Sequence, residues 1–143
     1  DERYMERLAD DAPALLECIQ ALSNTPHLLE SRLRFGLRVP QSALLAAYPP
    51  GASLHRHFDS YNGKDNPRLL TLILYLGWEP QRGGHLRTRP GTMHEACIAP
   101  LPGRLVTFFA QEIEHEVLPS EGQRYALTLW LWDAEHSNLC ETR

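Results

Sequence analysis

Several features of other protein classes are missing from the sequence. No apolar run approaches the ~20 residues that a helix needs to cross a membrane, so a membrane partner is not expected. Basic residues do not outnumber acidic ones, and a net charge of -4 gives no reason to expect a nucleic-acid partner. Internal repeats and low-complexity tracts are also absent, which argues against a solenoid architecture.

Cysteine is scarce as well. The chain has 3 cysteines, and they are Cys18, Cys97 and Cys140. An odd, scattered set without a CxxC pair argues against a disulfide framework or a zinc site. Reduced cysteines fit an intracellular compartment, cytoplasmic or nuclear. The N-terminal residues show no signal-peptide pattern, and a start at Asp1 instead of Met is consistent with trimmed upstream residues.

What remains is the composition of an ordinary globular protein, with 43% hydrophobic and 22% charged residues. A length of 143 residues favours one domain with one core, spanning residues 1–143. The apolar period changes near residue 35. We therefore expect residues 1–34 to form a helical cover and residues 35–133 to form a β core.

In the helical cover, apolar residues recur at three- to four-residue steps or multiples of them, which predicts one apolar stripe. Its members are Leu8, Leu15, Ile19 and Leu22. Asp10 and Asp11 directly before Pro13 are typical of a helix cap and first turn. A break between two short helices is expected there.

From residue 35 onward, short apolar runs alternate with turn signals such as Pro49-Pro50-Gly51 and Asn62-Gly63. The predicted strands are 42–48, 68–76, 84–89, 95–99, 105–110, 115–118 and 123–132. Roughly seven or eight short strands at close intervals predict a mainly β fold with N-terminal helices, of the double-sheet jelly-roll type.

Two of these strands have distinguishable faces, because alternate residues of a strand point to the same side. Thr71, Ile73 and Tyr75 share one face of strand 68–76, and Arg124, Ala126, Thr128 and Trp130 share one face of the last strand. Strand 68–76 is apolar on both faces, which indicates burial between covering helices and a second sheet.

The residues with the clearest chemistry are His57 and Asp59, with His115 far downstream. On an extended chain, His57 and Asp59 project side by side. Two imidazoles and one carboxylate form the facial triad of non-haem Fe(II) oxygenases, which leaves metal positions open. Taken alone, a His-x-Asp pair is also typical of a polar strand end.

In this order the motifs resemble those of the Fe(II)- and 2-oxoglutarate-dependent dioxygenases of the prolyl 4-hydroxylase type. Within that family they are most similar to the hypoxia-inducible-factor prolyl hydroxylases and their microbial relatives. The resemblance runs from about Ser42 to Asp133. The motifs that carry it are Ala47-Tyr48-Pro49, His57-Phe58-Asp59, Asn62-Gly63, Arg68, 71–76, 83–87, 104–109, His115-Glu116-Val117 and 124–130.

The resemblance implies a double-stranded β-helix that holds Fe(II) with His57, Asp59 and His115. It implies that 2-oxoglutarate and O2 are the co-substrates. 2-Oxoglutarate is converted to succinate and CO2, and a C–H bond of the substrate is hydroxylated. Ascorbate is a further cofactor candidate. The expected partner is a protein or peptide that bears a target proline.

Arg124 is the expected partner of the far carboxylate of 2-oxoglutarate, because a guanidinium can bind a carboxylate through two hydrogen bonds. The alternative is a surface arginine paired with an acid such as Glu121. The other residues expected to bind the co-substrate are Tyr75, Tyr48, Thr128, Leu86 and Trp130. For Tyr48 and Trp130, plain core packing is an equal alternative.

Arg68 and Trp78 are the substrate-contact candidates, which the resemblance places at the pocket entrance. His55 shares the face of His57 and would give a cupin-like His-x-His-x-Asp set, but we interpret it as a pocket-rim or solvent residue. Leu54 stands where the hypoxia-type enzymes carry Tyr. Two alternatives stay open: the same chemistry on another residue type or a small metabolite, or a cupin-like metal-binding protein without turnover.

Overall fold

The computed structural model describes residues 7, 9–33, 36–40, 42–61, 68–77 and 82–134. In that part of the chain, a helical stretch ending at Asp11 is followed by one long helix and nine strands. They are α1 (Pro13–Leu33), β1 (Leu37–Arg38), β2 (Leu44–Tyr48), β3 (Leu54–His57), β4 (Arg68–Leu76), β5 (Leu86–Thr88), β6 (Ala96–Ile98), β7 (Leu105–Phe109), β8 (His115–Val117) and β9 (Arg124–Asp133). No helix in the described ranges is long and apolar enough to cross a membrane.

The strands form two antiparallel sheets. The major sheet has the order β1-β9-β4-β7, and β2 pairs with the other end of β9. The minor sheet has the order β3-β8-β5-β6. Most consecutive strands cross from one sheet to the other, so neighbours in each sheet are distant in sequence. This arrangement confirms the predicted mainly β jelly roll.

The outer face of the major sheet packs against α1. The buried side chains of this outer core are Leu22, Leu70, Leu72, Leu127, Leu129 and Leu131. The carboxylate of Glu30 accepts a hydrogen bond from the backbone N–H of Leu37, at 2.9 Å, and so ties the end of the helix to β1. The helix thus covers the sheet face that would otherwise expose its leucines to water.

A second core lies between the two sheets. It contains Ile73, Tyr75, Leu86, Val117 and Ala126, all buried. On β4 and β9 the residues of this inner core alternate with those of the outer core. The predicted division of both strands into two faces is therefore confirmed, and the inner face of each strand is the one turned toward the minor sheet.

The long helix α1 begins at Pro13, and the predicted break between two helices is confirmed, because Ala12 is not helical. The carbonyl of Ala12 accepts the first hydrogen bonds, from the N–H groups of Leu15 and Leu16. The capping role expected for Asp10 and Asp11 is wrong, because both lie in a helical stretch that precedes Ala12 and α1 has no acid in its first turn. The predicted Leu8 lies outside the described residues.

Two strands were not predicted as separate elements. β1 has only two residues, which is too few to show an apolar period, and it depends on pairing with the end of β9. β3 is exposed at three of its four positions, so it too lacks an alternating pattern. The predicted strands 84–89 and 95–99 each shorten to three residues.

We expect Leu72→Ala to lower the free energy of unfolding by about 2–5 kcal/mol, since the side chain is fully buried under α1 and its removal leaves a cavity. Leu45→Ala is the matched control, because Leu45 is 49% exposed and its loss is expected to cost far less. Urea unfolding followed by circular dichroism measures both. Equal losses would place the stabilising core elsewhere.

Candidate active site

The pairing of β3 with β8 brings two histidines together. His57 ends β3, His115 begins β8, and the two residues are directly opposite each other in the antiparallel pair. Side chains of directly opposed residues lie on the same face of a sheet. The two imidazole rings accordingly have centroids 4.3 Å apart, with 53° between their planes.

Backbone carbonyls orient both imidazoles. The Nδ1 atom of His57 lies 2.7 Å from the carbonyl oxygen of His55, and Nδ1 of His115 lies 3.0 Å from that of Ile113. A carbonyl oxygen only accepts, so each Nδ1 carries the hydrogen and donates. Each Nε2 is then left with a free lone pair, as a metal-ligating imidazole requires.

Asp59 completes the group from a bend that follows β3. His57 and Asp59 therefore do not share one extended strand, but the predicted side-by-side placement of their side chains is confirmed, and the carboxylate reaches both imidazoles. One carboxylate oxygen is 3.6 Å from Nε2 of His57, and the other is 3.7 Å from Nε2 of His115.

Two residues of β4 hold Asp59 in this position. The hydroxyl of Thr71, which is fully buried, donates to the carboxylate at 2.6 Å. The guanidinium of Arg68 donates to the backbone carbonyl of Asp59 at 3.2 Å. β4, in the major sheet, therefore holds Asp59, which lies in the bend after β3 of the minor sheet.

Burial keeps His115 in the form that can bind a metal. The side chain is only 4% exposed, and this desolvation lowers its pKa below the ordinary value. The hydrogen bond to the Ile113 carbonyl and the nearby Asp59 carboxylate oppose the shift. The imidazole is therefore neutral at neutral pH, with its Nε2 lone pair available.

The group formed by His57, Asp59 and His115 fits a divalent transition metal. One potential ligand atom from each residue lies within 4.8 Å of the other two. Two neutral imidazoles and one carboxylate are the donor set of non-haem Fe(II) oxygenases. All three residues line the same pocket, so the pocket side of the group is available to other ligands.

Arg124 provides the positive charge of the same pocket. Its side chain is 2% exposed, with the guanidinium carbon 4.6 Å from the centroid of the Tyr48 ring and 5.0 Å from that of Tyr75. No carboxylate of the described residues forms an ion pair with it, and the alternative pairing with Glu121 is wrong. A buried guanidinium without an acidic partner is costly unless an anion binds there.

Three buried polar atoms near the pocket also lack partners. They are the Tyr75 hydroxyl, Nε of Arg124 and Nε1 of Trp130, none of which hydrogen-bonds to any residue that the structure describes. Burial raises the pKa of Tyr75, although Arg124 nearby opposes the shift, so the hydroxyl stays protonated and able to donate. Because buried polar groups are normally satisfied, these atoms indicate a polar ligand.

The pocket between the sheets has a cavity volume of about 80 Å³. Its lining brings together most of the residues predicted from the sequence, namely Tyr48, His57, Asp59, Leu86, His115, Arg124, Thr128 and Trp130. Tyr75 is not part of the lining, but its ring lies against the Arg124 guanidinium, whose donor groups belong to the pocket. A pocket with a metal-ligand group and a buried cation suits a small anion that also reaches the metal.

The remaining predicted residues are placed as follows. The guanidinium carbon of Arg68 lies 4.1 Å from the centroid of the Trp130 ring, beside the pocket. His55 is exposed and contributes only its carbonyl, as expected for a residue outside the metal group. Trp78 lies outside the described residues. Thr71 was missed, although its place on the inner face with Tyr75 was a usable signal.

More than half of the chain matches a known protein family. The profile of the 2OG-Fe(II) oxygenase superfamily matches residues 43–132, which is more than half of the chain. The prolyl hydroxylase EGLN3 of Mus musculus is 38% identical over 112 residues, which are 73% of this chain and 46% of that protein. The chain thus spans about half the length of this relative.

Solved structures agree. A prolyl-4-hydroxylase from Pseudomonas putida superposes with a TM-score of 0.73 at 30% identity, covering 92% of this chain and 79% of that one. A prolyl hydroxylase from Trichoplax adhaerens, in complex with a hypoxia-inducible-factor peptide fragment, gives a TM-score of 0.70 at 30% identity and covers 87% and 60%. With a His-Asp-His group and an unpaired arginine in one pocket, the chain belongs to the 2OG-Fe(II) oxygenase superfamily.

Proposed function

We propose that the chain hydroxylates a prolyl residue in a protein or peptide, with Fe(II), 2-oxoglutarate and O2, and releases succinate and CO2. The observation that carries the proposal is the shared pocket of the His57, Asp59 and His115 group and the unpaired guanidinium of Arg124. Relatives that are prolyl hydroxylases support the substrate class.

In this proposal His57, Asp59 and His115 hold the metal. Their orientation is set in advance by the carbonyls of His55 and Ile113, while Thr71 fixes the carboxylate. Bound Fe(II) supplies the oxidation chemistry, in which O2 and 2-oxoglutarate are consumed and a C–H bond is hydroxylated. Ligands held in advance lose little conformational entropy when the metal binds.

Arg124 binds the far carboxylate of 2-oxoglutarate, and Tyr75 donates a hydrogen bond to the same anion. Both groups are buried, and the atoms that lack partners are the ones that such an anion would satisfy. Thr128, on the same face of β9 as Arg124, offers a further hydroxyl. Charge-assisted hydrogen bonds of this kind are about twice as strong as neutral ones.

The remaining lining orients the substrate and excludes water. Leu86 and Tyr48 form apolar walls beside Arg124, and Trp130 lines the pocket with Arg68 stacked on its ring. This stacked pair is the proposed contact surface for the target residue, together with Trp78. A ring such as that of proline packs well on an aromatic face and has little conformational freedom to lose.

A peptide substrate also fits the pocket rim. Leu44 and Leu54 both line the pocket, yet they are 48% and 40% exposed. An extended apolar rim beside the pocket suits a chain that continues past the target residue better than a small polar metabolite. A favourable contact there would add binding energy remote from the reacting atom.

We further propose that residues 1–143 act as one domain, with 1–34 as the helical cover and 35–133 as the jelly-roll core. The place of action is intracellular, cytoplasmic or nuclear, which the free thiols of Cys18 and Cys97 support.

Metal binding is expected to require His115. Loss of a residue that only orients a metal ligand costs about 10–100-fold in metal affinity. Loss of the ligand itself, in His115→Ala, is therefore expected to weaken Fe(II) or Mn(II) binding by more than about 100-fold. Affinity should also fall as the pH drops through the pKa of His115, which burial lowers from the ordinary value of about 6.5, because protons then compete with the metal for its imidazole. Anaerobic titration measures both. His55→Ala is the control and should bind normally; full affinity in His115→Ala would contradict the assignment.

Co-substrate binding is expected to require Arg124. Loss of a charge-assisted bond costs about 1.5–3 kcal/mol, so Arg124→Ala should weaken 2-oxoglutarate binding by at least about tenfold. Metal affinity should change little. Calorimetric titration with saturating Mn(II) gives both values, with Arg87→Ala as the control because Arg87 pairs with Glu116 on the outer face of the minor sheet. An unchanged affinity in Arg124→Ala would remove this residue from the co-substrate site.

The substrate class is tested directly. The protein is incubated with extract of its own cells, Fe(II), 2-oxoglutarate and ascorbate, and peptides are searched by mass spectrometry for prolines that gain one oxygen. His57→Ala should give none of them, and omission of ascorbate shows whether it is needed. Oxygen found only on metabolites or on other residue types would disprove prolyl hydroxylation and leave the oxygenase assignment intact.

A further inference from the structure

Gly84 lies against the side chain of Arg124. It is buried in the turn before β5, and its φ of +62° is in the left-handed region. A Cβ placed on this residue would lie 2.8 Å from Cδ of Arg124 and 3.1 Å from Oγ of Ser120. Carbon atoms pack at roughly 3.5–4.0 Å, so any side chain at this position must displace a neighbour.

Ser120 is poorly able to move. Its backbone N–H donates to the carbonyl of Ala52 at 3.0 Å, its carbonyl accepts from Gly51 at 2.6 Å, and its hydroxyl donates to the carbonyl of Gly122 at 2.6 Å. Displacing Ser120 would break several hydrogen bonds at once.

Gly84 itself is also fixed. Its N–H donates to the carbonyl of Pro119 at 2.9 Å, and the preceding Gly83 forms a β-bridge with Ser120. The neighbour left to move is therefore Arg124. Its stem passes over Gly84 before the guanidinium enters the space beside the Tyr48 and Tyr75 rings.

We propose that Gly84 is a positioning residue for the co-substrate. Because Gly84 has no side chain, the Arg124 stem can lie against it, and this contact fixes how far the Arg124 guanidinium extends into the pocket. A methyl group at Gly84 would have to push Cδ of Arg124 away by about 0.7–1.2 Å, from 2.8 Å to a normal carbon–carbon contact of about 3.5–4.0 Å. Two parallel hydrogen bonds to a carboxylate depend on that placement. The inference rests on the proposed role of Arg124 in binding 2-oxoglutarate.

The test is Gly84→Ala, with 2-oxoglutarate and Mn(II) affinities measured separately by calorimetry. We expect 2-oxoglutarate affinity to fall at least tenfold while Mn(II) affinity stays within about twofold, since the three atoms nearest to the added methyl group belong to Arg124 and Ser120 and not to a metal ligand. Equal loss of both affinities, or loss of neither, would overturn the inference.

Gly91→Ala is the matched control for backbone strain. Gly91 has a φ of +78°, and a Cβ there would meet nothing within 4 Å. The variant therefore carries a similar conformational cost without touching Arg124. Both affinities should be unchanged in it. A comparable fall of 2-oxoglutarate affinity in Gly91→Ala would mean that general strain is responsible, and would overturn the inference.

A double-mutant cycle with Arg124→Ala shows whether Gly84 acts through the arginine. Once the Arg124 stem is gone, Gly84→Ala should have no further effect on 2-oxoglutarate affinity, and full additivity would overturn the inference. If Gly84→Ala alone does not fold, the double variant should regain a cooperative melting transition because the clash has been removed. Failure to regain it would place the clash elsewhere.

The same cycle separates this inference from the proposed function. An unchanged 2-oxoglutarate affinity in Arg124→Ala would overturn both the proposed role of Arg124 and the inference on Gly84. A weakened affinity in Arg124→Ala together with normal affinity in Gly84→Ala would overturn the inference on Gly84 alone.

Discussion

The candidate metal site depends on the register of β3 against β8. His57 and His115 face each other because these two short strands pair at that position, with an irregularity between it and the Leu54 and Val117 pair. A slip of one residue would turn one imidazole to the opposite face of the sheet. β8 is held on its other side by β5, where Thr88 lies opposite His115. The middle strands of the minor sheet therefore fix the geometry that β3, an edge strand, could not fix alone.

The pocket is electrostatically incomplete without an anion. Arg124 is buried between two tyrosine rings and lacks a carboxylate partner in the described part of the chain, while the Tyr75 hydroxyl is buried without an acceptor. Such groups lower the stability of the ligand-free protein. A dicarboxylate that binds only the folded state would recover that free energy and raise the melting temperature. The same unsatisfied atoms thus link stability to co-substrate binding and explain why a strongly basic side chain is tolerated in the interior.

Much of this arrangement could be predicted from the sequence, for identifiable reasons. The long strands β4 and β9 show alternation that assigns Tyr75 and Arg124 to the inner face, and the order of His57, Asp59 and His115 indicates the metal chemistry. The bend at Asp59 could not be predicted. Its carboxylate is held by a hydrogen bond from Thr71, which lies on a strand of the major sheet and is distant in sequence. The closeness of Gly84 to Arg124 is likewise a contact between segments 40 residues apart in the numbering of the chain, which no local pattern records.

On β4 and β9, one face stabilises the fold and the opposite face forms the pocket. Their outward leucines form the core under α1, whereas their inward residues form the pocket and the support of Asp59. Because neighbouring positions on these strands belong to different cores, a change at an outward leucine acts first on folding, and a change one residue away acts first on ligand binding. The apolar core under the helix can therefore offset the cost of the unpaired polar groups on the other face. This division explains how one pair of strands can carry both an inner polar pocket and the apolar core of the domain.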